Sequence, residues 1–317
     1  MMNIQNYYLI FLSLLSFIFS YLILLFFLNK KYFYNLDIPN YRSSHNINTP
    51  SGGGIVFLIS GFFIFIFSGN LITLASIPLG IVGYLDDKYK IKALFRYFFQ
   101  IITCTLLMFL SNKLIFDSFP HSLITVLLIV FGTALINLIN FMDGIDGLVA
   151  ASMIFIFLPF AIMESSYYFL LIASIIAFLK FNWYPAKIFM GDLGSTYLGS
   201  LLFGITINHS SISHSIINLI IASPLLLDSS ICIIRRFLAK ENIFKGHKKH
   251  IYQRLHQSGL KHSEITLIYQ TPIMSTTLLL FFKSYALIFL NLIFILILGF
   301  YLDQNVCAPF SKNSIRN

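Results

Sequence analysis

Repeated long apolar runs constrain the fold of this chain more than any other feature of its sequence. Many of these runs reach 17 residues or more, which is enough for an α-helix to cross the hydrocarbon core of a bilayer. The chain is 57% hydrophobic and 10% charged, whereas soluble domains are about 45–50% apolar and about 25% charged. Lipid offers the backbone no hydrogen-bond partners, so spanning segments are helices or closed barrels. The alternating segments of a β-barrel are absent from the sequence, and we expect an all-α polytopic membrane protein.

The apolar runs predict about 10–11 transmembrane helices in one domain. The first run lacks a basic leader and a small-residue cleavage site, so we interpret it as a retained helix. No linker or low-complexity block divides the chain, and we expect a single domain over 1–317 with a motif-bearing core at about 42–263. The expected spans lie near residues 7–28, 53–69, 71–85, 94–112, 121–140, 147–163, 167–181, 193–208, 214–237, 264–282 and 284–302.

The distribution of lysine and arginine predicts the orientation. If the N-terminus is outside and the C-terminus is cytoplasmic, 19 of the 21 basic residues fall in cytoplasmic loops, as the positive-inside rule requires. The rule also accounts for the net charge of +9 without a nucleic-acid partner. In this orientation six acids lie at or near cytoplasmic helix ends: Asp86, Asp87, Asp143, Asp146, Asp192 and Asp228.

Two acidic motifs follow apolar runs. In "NFMDGIDG", Asn140 and Asp143 share a helix face and Asp146 follows three residues later. We favour a functional role over a polar turn, because ionisable groups at a membrane are usually functional. In "GYLDD", Asp86 and Asp87 end a helix, where the helix dipole disfavours negative charge. A bound Mg²⁺ or a proton-accepting role would explain this pair; the alternative is a solvated helix end.

The segment "FNWYPAKIFMGDLGS" joins two apolar runs through a short loop that contains a proline. Asn182 begins it, and Asp192 resembles a helix start, where backbone N–H groups can face an anion. Asp192 would then need a cation between its carboxylate and any phosphate. Phe189 could stack on a flat ring or serve as an aromatic anchor at the membrane interface.

A basic cytoplasmic segment contains Arg235, Arg236, His247 and His250. It could receive a pyrophosphate, or it could contact anionic lipid head groups. The two histidines could also bind Zn²⁺, but the sequence offers no cysteine or third histidine to complete the site. Three scattered cysteines show no metal-ligand spacing, and we interpret them as small apolar residues or free thiols: Cys104, Cys232 and Cys307.

A fifth motif, "RSSHNINTPSGGG", places Arg42 before three glycines, 52–54. A glycine-rich turn that leads into a helix can cradle phosphate, although the motif lacks the Gly-Lys-Ser/Thr of a P-loop. All five motifs lie on the cytoplasmic side. Carboxylates suit Mg²⁺, and basic groups suit a diphosphate. The sequence therefore indicates phosphoryl transfer from a nucleotide donor to an acceptor that is embedded in lipid.

The five motifs, in this order from about Arg42 to Arg254, resemble those of the polyprenyl-phosphate N-acetylhexosamine-1-phosphate transferase superfamily, glycosyltransferase family 4. The resemblance implies transfer of a sugar 1-phosphate from a UDP-N-acetylhexosamine to undecaprenyl phosphate. It also implies release of UMP and a requirement for Mg²⁺, with Mn²⁺ as an alternative.

The resemblance also implies roles for individual residues. Asp192 corresponds to the Mg²⁺ ligand, while Asp86 and Asp87 correspond to the pair that deprotonates the lipid phosphate or positions metal and lipid. Asn140 and Asp143 correspond to nucleotide contacts, and Asp146 belongs to the same motif. Asn182 and Phe189 correspond to positions near the uridine. His247 and His250 correspond to positions near the diphosphate.

Differences between this sequence and the motifs of each branch of the family indicate which branch it belongs to. Lys248 and Lys249 separate His247 from His250, whereas the muramoyl-pentapeptide branch has three consecutive histidines. This difference favours the branch that initiates O-antigen lipopolysaccharide or other surface polysaccharides at the bacterial inner membrane. In that branch Pro-Thr-Pro-Arg often precedes the glycines; here residues 48–51 read Asn-Thr-Pro-Ser, so one basic contact is missing.

Several alternatives stay open. The chain could instead be the phospho-N-acetylmuramoyl-pentapeptide transferase of peptidoglycan synthesis, or a secondary transporter with intramembrane acids. In the transferase, the lipid phosphate could attack directly, or Asp86 or Asp87 could form a covalent intermediate. The donor sugar is GlcNAc or a 6-deoxy N-acetylhexosamine. The oligomeric state is open as well, with a homodimer as one option.

Overall fold

A computed structural model describes residues 4–30, 35–39, 43–45, 47–111, 121–209, 212–243 and 245–310. This part of the chain is almost entirely helical, which confirms the predicted fold class. Thirteen helices are described: α1 Ile4–Asn29, α2 Ile55–Ser68, α3 Leu71–Tyr89, α4 Ala93–Leu110, α5 His121–Phe141, α6 Leu148–Met163, α7 Tyr168–Asn182, α8 Gly191–Ile207, α9 Ile212–Ile221, α10 Ser223–Leu238, α11 Ile251–Gln257, α12 His262–Phe281 and α13 Tyr285–Asn305. Two short strands, β1 Asn35–Asp37 and β2 Thr49–Ser51, pair antiparallel.

Each predicted span coincides with helix, but the ninth is not continuous. It consists of α9 and α10, which meet at a bend of 75°. Pro224 lies in the first turn of α10. A proline there lacks the N–H that would continue the preceding helix, and its ring clashes with the turn before it. The short helix α11 lies in a segment that the sequence predicts to be cytoplasmic and outside the membrane spans.

The outer surfaces of several helices are suited to lipid. Four helices are long and apolar enough to cross a membrane, or five if the bent pair counts as one span. They are α1, α4, α5 and α13, and large apolar side chains such as Phe109 and Phe300 are 81% and 69% exposed on them. Water would disfavour so much exposed apolar surface. The chain is therefore a multi-pass membrane protein.

Helix α8 lies at the centre of the bundle, because every residue from Leu193 to Ile207 is buried. Glycines allow other elements to approach it closely. A β-carbon at Gly83 of α3 would clash with the carbonyl of Asp192, and one at Gly54 would clash with Gly194. Small residues serve the same purpose between membrane helices in general. These contacts press the end of α3 and the start of α2 against the start of α8.

Helices that alternate in direction collect their ends in two layers. One layer contains the ends of α3, α5 and α7 and the starts of α4, α6 and α8, and it also contains β2, which bridges to Phe189 through Ser51. In the opposite layer the side-chain amide of Asn70 donates to the Tyr168 hydroxyl over 2.8 Å. The described residues of the motifs predicted to be cytoplasmic lie in the first layer.

Candidate active site

The acidic pocket, defined here as Asp86, Asp87, Asp143 and Asp192, draws its carboxylates from three motifs. Arg96, in the first turn of α4, joins two of them. Its Nη1 donates to Oδ2 of Asp86 over 2.7 Å and to Oδ2 of Asp192 over 3.2 Å. The side chain of Asp86 is 10% exposed and that of Asp192 is 26% exposed. A ligand can therefore reach Asp192 more easily than Asp86.

Asp87 lies against the residue that begins α8. A β-carbon at Gly191 would clash with Oδ2 of Asp87 and would lie 2.7 Å from Oγ of Ser51. Gly191 also has a φ of +71°, which L side chains adopt at a cost. Among the residues that the structure describes, no group forms a hydrogen bond with the buried Oδ2 of Asp87. An unpartnered buried oxygen is unfavourable, so this atom is suited to a proton, a cation or a donor on a substrate.

Asp143 lies in the turn between α5 and α6, half-buried. Its pKa is well above the usual range, because the protein removes the carboxyl group from water and the charges of Asp192 and Asp87 add to that effect. The same turn is fastened to α8, since the Ser195 hydroxyl donates to Oδ1 of Asn140 over 2.6 Å. The structure thus brings the "NFMDGIDG" and "MGD" motifs together.

The two predicted histidines lie side by side at the start of α11. The ring centroids of His247 and His250 are 4.9 Å apart. Removal from water and the charge of His250 lower the pKa of His247 to about 3. Burial alone would lower the pKa of His250, but Asp228 and Cys232 outweigh it and raise that pKa to about 9. At neutral pH one ring is therefore neutral and the other is a cation.

Tyr252 fixes this histidine pair against the acidic motif. Its hydroxyl donates to the carbonyl of Phe141 over 2.9 Å, and a β-carbon at Gly144 would clash with that hydroxyl. Asp228 holds the start of α11 by accepting the N–H groups of Ile251 and Tyr252 over 2.7 and 3.1 Å. The carboxylates and the histidines thus belong to one end of the bundle.

Comparison with known proteins identifies the family. The family model described as glycosyl transferase family 4 matches residues 69–210. A probable undecaprenyl-phosphate N-acetylglucosaminyl 1-phosphate transferase of Bacillus subtilis is 32% identical over 83% of this chain and 81% of its own. This chain belongs to the polyprenyl-phosphate N-acetylhexosamine-1-phosphate transferase family.

Two further relatives represent two named activities within the family. The undecaprenyl-phosphate alpha-N-acetylglucosaminyl 1-phosphate transferase of Thermotoga maritima is 29% identical over 68% of this chain and 71% of its own. A phospho-N-acetylmuramoyl-pentapeptide-transferase of Deinococcus radiodurans is also 29% identical, over 69% of this chain and 80% of its own. Similarity alone therefore leaves the donor sugar of this family member open.

Arg96 was missed by sequence reasoning, which grouped it with the lysines that follow "GYLDD" as a positive-inside residue. One signal was available. Arg96 is an arginine that follows three lysines, Lys88, Lys90 and Lys92. The planar guanidinium group matches a carboxylate better than an ammonium group does. In this family member it ties α3, α4 and α8 together through two carboxylates.

Two predicted site residues are occupied with internal contacts. Oδ2 of Asp146 accepts the N–H of Ala186 over 3.0 Å, and its Oδ1 lies 3.2 Å from Nδ1 of His262. Asn182 accepts the N–H of Gly147 over 3.0 Å and donates to the carbonyl of Ile188 over 2.9 Å. Both side chains are buried. The geometry makes them supports for the turn, and their predicted substrate contacts stay predictions.

The glycine turn does not have the free N–H groups that a phosphate cradle needs, so that hypothesis is wrong. The N–H groups of Gly52 and Gly53 donate to the carbonyl of Phe189 over 3.2 and 2.9 Å, and that of Gly54 donates to Met190 over 3.1 Å. The ring of Phe189 is half-buried and packs edge-on against His45 at 4.9 Å. Its predicted stacking on uridine stays a prediction, and Arg42 lies outside the described residues.

The two arginines of α10 also serve the protein itself. Both carboxylate oxygens of Asp303 accept hydrogen bonds from Nη1 of Arg235 over 2.9 Å. Arg236 is 3% exposed and donates to Glu241 and to the carbonyls of Ile243 and Lys245 over 3.1–3.2 Å. These hydrogen bonds use the Arg236 donors to hold the loop, and its predicted contact with the substrate stays a prediction. Arg235 is likewise committed to Asp303.

Proposed function

We propose that this protein transfers N-acetylhexosamine 1-phosphate from a UDP-sugar to undecaprenyl phosphate and releases UMP. The family membership and the name of the Bacillus subtilis relative support the reaction. The separated histidines support a surface polysaccharide, such as O-antigen, over peptidoglycan. The reaction takes place at the cytoplasmic face of the bacterial inner membrane, where the product is the first lipid-linked intermediate.

One observation carries this proposal most directly: Asp87 and the start of α8 meet at Gly191, where a side chain would not fit. The "LDD" and "MGD" motifs thus form one wall with an unpartnered carboxylate oxygen. Such a wall at a helix end of a membrane bundle suits a phosphorylated lipid, whose head group approaches along the bilayer surface. A transporter site would lie closer to the midplane.

The reaction forms and breaks one P–O bond. An oxygen of the lipid phosphate attacks the sugar-bearing phosphorus, and the bridging oxygen leaves with UMP. Oδ2 of Asp87 accepts the proton of the lipid phosphate, while His250 places a positive charge beside the diphosphate. Asp86 is held by Arg96, which makes it a poor nucleophile and leaves Asp87 as the carboxylate on which a covalent intermediate would form. Such catalysis is mostly positioning and electrostatics.

The acidic pocket has the composition of a Mg²⁺ site. Its donors are hard oxygens, which Mg²⁺ prefers. The pKa of Asp143 is well above its usual range, because of burial first and then the charges of Asp192 and Asp87. Asp192 would hold the ion, and Mn²⁺ has similar preferences. A bound ion supplies neutralisation of the negative charge on the diphosphate.

A donor screen with the purified protein tests the reaction. The protein in detergent is given undecaprenyl phosphate and either UDP-GlcNAc, a UDP-linked 6-deoxy N-acetylhexosamine or UDP-N-acetylmuramoyl-pentapeptide, and UMP and lipid product are measured. We expect UMP with an N-acetylhexosamine donor and only when the lipid phosphate is present. Turnover of the pentapeptide donor alone would assign the protein to peptidoglycan synthesis. Solute uptake into vesicles without any UMP would assign it to transport.

The orientation has its own test. A cysteine placed at Ser118, in an otherwise cysteine-free chain, is expected to react with a membrane-impermeant thiol reagent added from outside the cell. Reaction only after the cytoplasm is opened would invert the topology and would place the acidic pocket outside. The donor screen does not depend on this result, because purified protein exposes both faces.

A further inference from the structure

The end of α13 is fastened to the helix that follows the two predicted histidines. Arg254 lies in α11, is 3% exposed, and donates its N–H to the carbonyl of His250 over 3.0 Å. Its Nη1 donates to Oδ1 of Asp303, and its Nη2 donates to the carbonyl of Asp303 over 3.3 Å. A buried pair of opposite charges therefore joins α11 to α13.

The residues after α13 add backbone contacts to this pair. Nε of Arg254 donates to the carbonyl of Ala308 over 2.6 Å, and the N–H of Ala308 donates to the carbonyl of Arg254 over 3.2 Å. The sulfur of Cys307 lies 3.7 Å from the carbonyl of Ile251, the first residue of α11. Backbone and side chain together thus fix the place of α11 relative to the end of α13.

Phe310 extends the contact to the histidine segment itself. The centroid of its ring lies 4.0 Å from Cζ of Arg235, 5.1 Å from Nζ of Lys249 and 5.6 Å from Cζ of Arg254. An aromatic ring attracts a cation that lies within about 6 Å of its centroid. Lys249 is the residue directly before His250. One ring therefore contacts α10, α11 and the neighbour of His250.

We propose that three residues at and after the end of α13 hold His250 in place for the diphosphate of the donor: Asp303, Ala308 and Phe310, here called the C-terminal clamp. This role rests on the proposed function, in which His250 places its charge beside the diphosphate. Asp228 accepts the first N–H groups of α11, and the C-terminal clamp holds the same helix through Arg254. A displacement of about 1 Å can cost roughly 100-fold in rate, so a single point of attachment would leave the histidine poorly placed.

Two substitutions of Phe310 test the C-terminal clamp by a matched change. Phe310→Leu stays apolar but loses the aromatic face, whereas Phe310→Tyr keeps the ring. UMP release by the purified protein is measured against the concentration of UDP-GlcNAc, or of the donor that the screen selects, at saturating undecaprenyl phosphate. Phe310→Leu should raise the KM for the donor about 3–10-fold, as expected for the loss of cation–π contacts. Phe310→Tyr should stay within about 2-fold of the wild type.

The other kinetic constants distinguish positioning from a general loss of structure. The KM for undecaprenyl phosphate and the Mg²⁺ dependence belong to the acidic pocket and should not change. Phe289→Leu, at a ring that is 60% exposed on α13, is the control and should match the wild type. Equal donor KM values in Phe310→Leu and Phe310→Tyr would overturn the proposal. A lower kcat at an unchanged donor KM would overturn it as well, because a smaller folded fraction gives that result.

Asp303→Asn makes the larger change. It removes the charge that faces Arg254 and should raise the donor KM at least 10-fold. An uncompensated buried arginine is strongly destabilising, so gel filtration must show that this variant is folded. If it is not, the two substitutions of Phe310 decide, since that ring is only half-buried.

Hydrogen exchange separates failure of this proposal from failure of the proposed function. Exchange of the backbone amides in residues 246–257 is measured by mass spectrometry without substrate, because local opening of a segment speeds its exchange. The segment should exchange faster in Phe310→Leu than in Phe310→Tyr, while α8 exchanges equally in both. Equal exchange of the segment would overturn the proposal even in an active enzyme. A wild-type protein that releases no UMP would instead refute the proposed function, and the donor role of the C-terminal clamp with it.

Discussion

The acidic pocket and the pair formed by His247 and His250 lie at the same end of the bundle but are built differently. The acidic pocket has oxygen donors at the ends of membrane helices, where Gly83 and Gly191 bring backbone within contact distance. The histidine pair lies in the segment before α11, which is held by the Asp228 carboxylate and the Tyr252 hydroxyl. Carboxylates suit a hard cation such as Mg²⁺, whereas the raised pKa of His250 suits an anion. One end of the bundle thus has groups suited to a cation and to an anion, and different contacts hold each of them.

Removing the carboxylate of Asp192 should have the largest effect on turnover. Asp192→Asn keeps the size of the side chain but loses the charge that would hold Mg²⁺. We expect UMP release to fall by roughly 10²–10³-fold or more, as when a main electrostatic contributor is removed. Glu264→Gln, an exposed carboxylate in the first turn of α12, is the matched control. Normal turnover in Asp192→Asn would refute the metal assignment.

The close contact at Gly191 should be the next most sensitive feature. Gly191→Ala forces a β-carbon against Asp87 and Ser51 at a positive φ, which costs roughly 1–2 kcal/mol for an L residue. Displacing the carboxylate by about 1 Å should reduce UMP release about 100-fold.

Gly299→Ala provides the control for that change. A β-carbon at Gly299 in α13 would meet no atom within 4 Å, so its activity should equal that of the wild type. Equal activity of Gly191→Ala and Gly299→Ala in the same assay would mean that the wall between Asp87 and α8 does not matter for the reaction.

Much of this arrangement was predictable from the sequence, and the exceptions share a physical cause. Apolar runs predicted the membrane helices, because lipid permits few alternatives for the backbone. The bend before Pro224 was missed because the hydrophobic run continues through it. The role of Arg96 was missed because its partner Asp192 is distant in sequence. The internal contacts of the Asp146 and Asn182 side chains were not predicted, because a sequence motif does not show which side of a turn its polar atoms face.

Arg96 offers a way to change the acidic pocket without removing a carboxylate. Its guanidinium neutralises part of Asp86 and Asp192 and competes with a cation for Oδ2 of Asp192. Arg96→Gln should therefore lower the Mg²⁺ concentration for half-maximal turnover by about 3–10-fold. An ion pair near the surface contributes up to about 1 kcal/mol, and a cation at Asp192 no longer has to displace it. Maximal turnover should fall, because α4 loses its tie to α8.

A variant of a nearby exposed cation distinguishes the competition at Asp192 from the general electrostatic effect of removing one positive charge. Lys92 lies at the start of the same helix and is exposed. Lys92→Gln should leave the Mg²⁺ dependence within about 2-fold of the wild type, because water screens the charge. If both variants shift the dependence equally, the competition at Oδ2 of Asp192 is not its cause.

The smallest effect on turnover is expected for a substitution of Asp146. This variant tests whether Asp146 supports the turn or contacts the substrate. Asp146→Asn can still accept the N–H of Ala186 but loses the charge that faces His262. Exchanging a charged acceptor for a neutral one should reduce stability by about 1 kcal/mol, seen as a lower midpoint of thermal unfolding in detergent. Turnover at low temperature should fall only a few-fold, because both carboxylate oxygens already contact protein groups, the Ala186 N–H and the His262 ring. A loss of activity as large as that of Asp192→Asn at unchanged stability would instead place Asp146 in contact with the substrate.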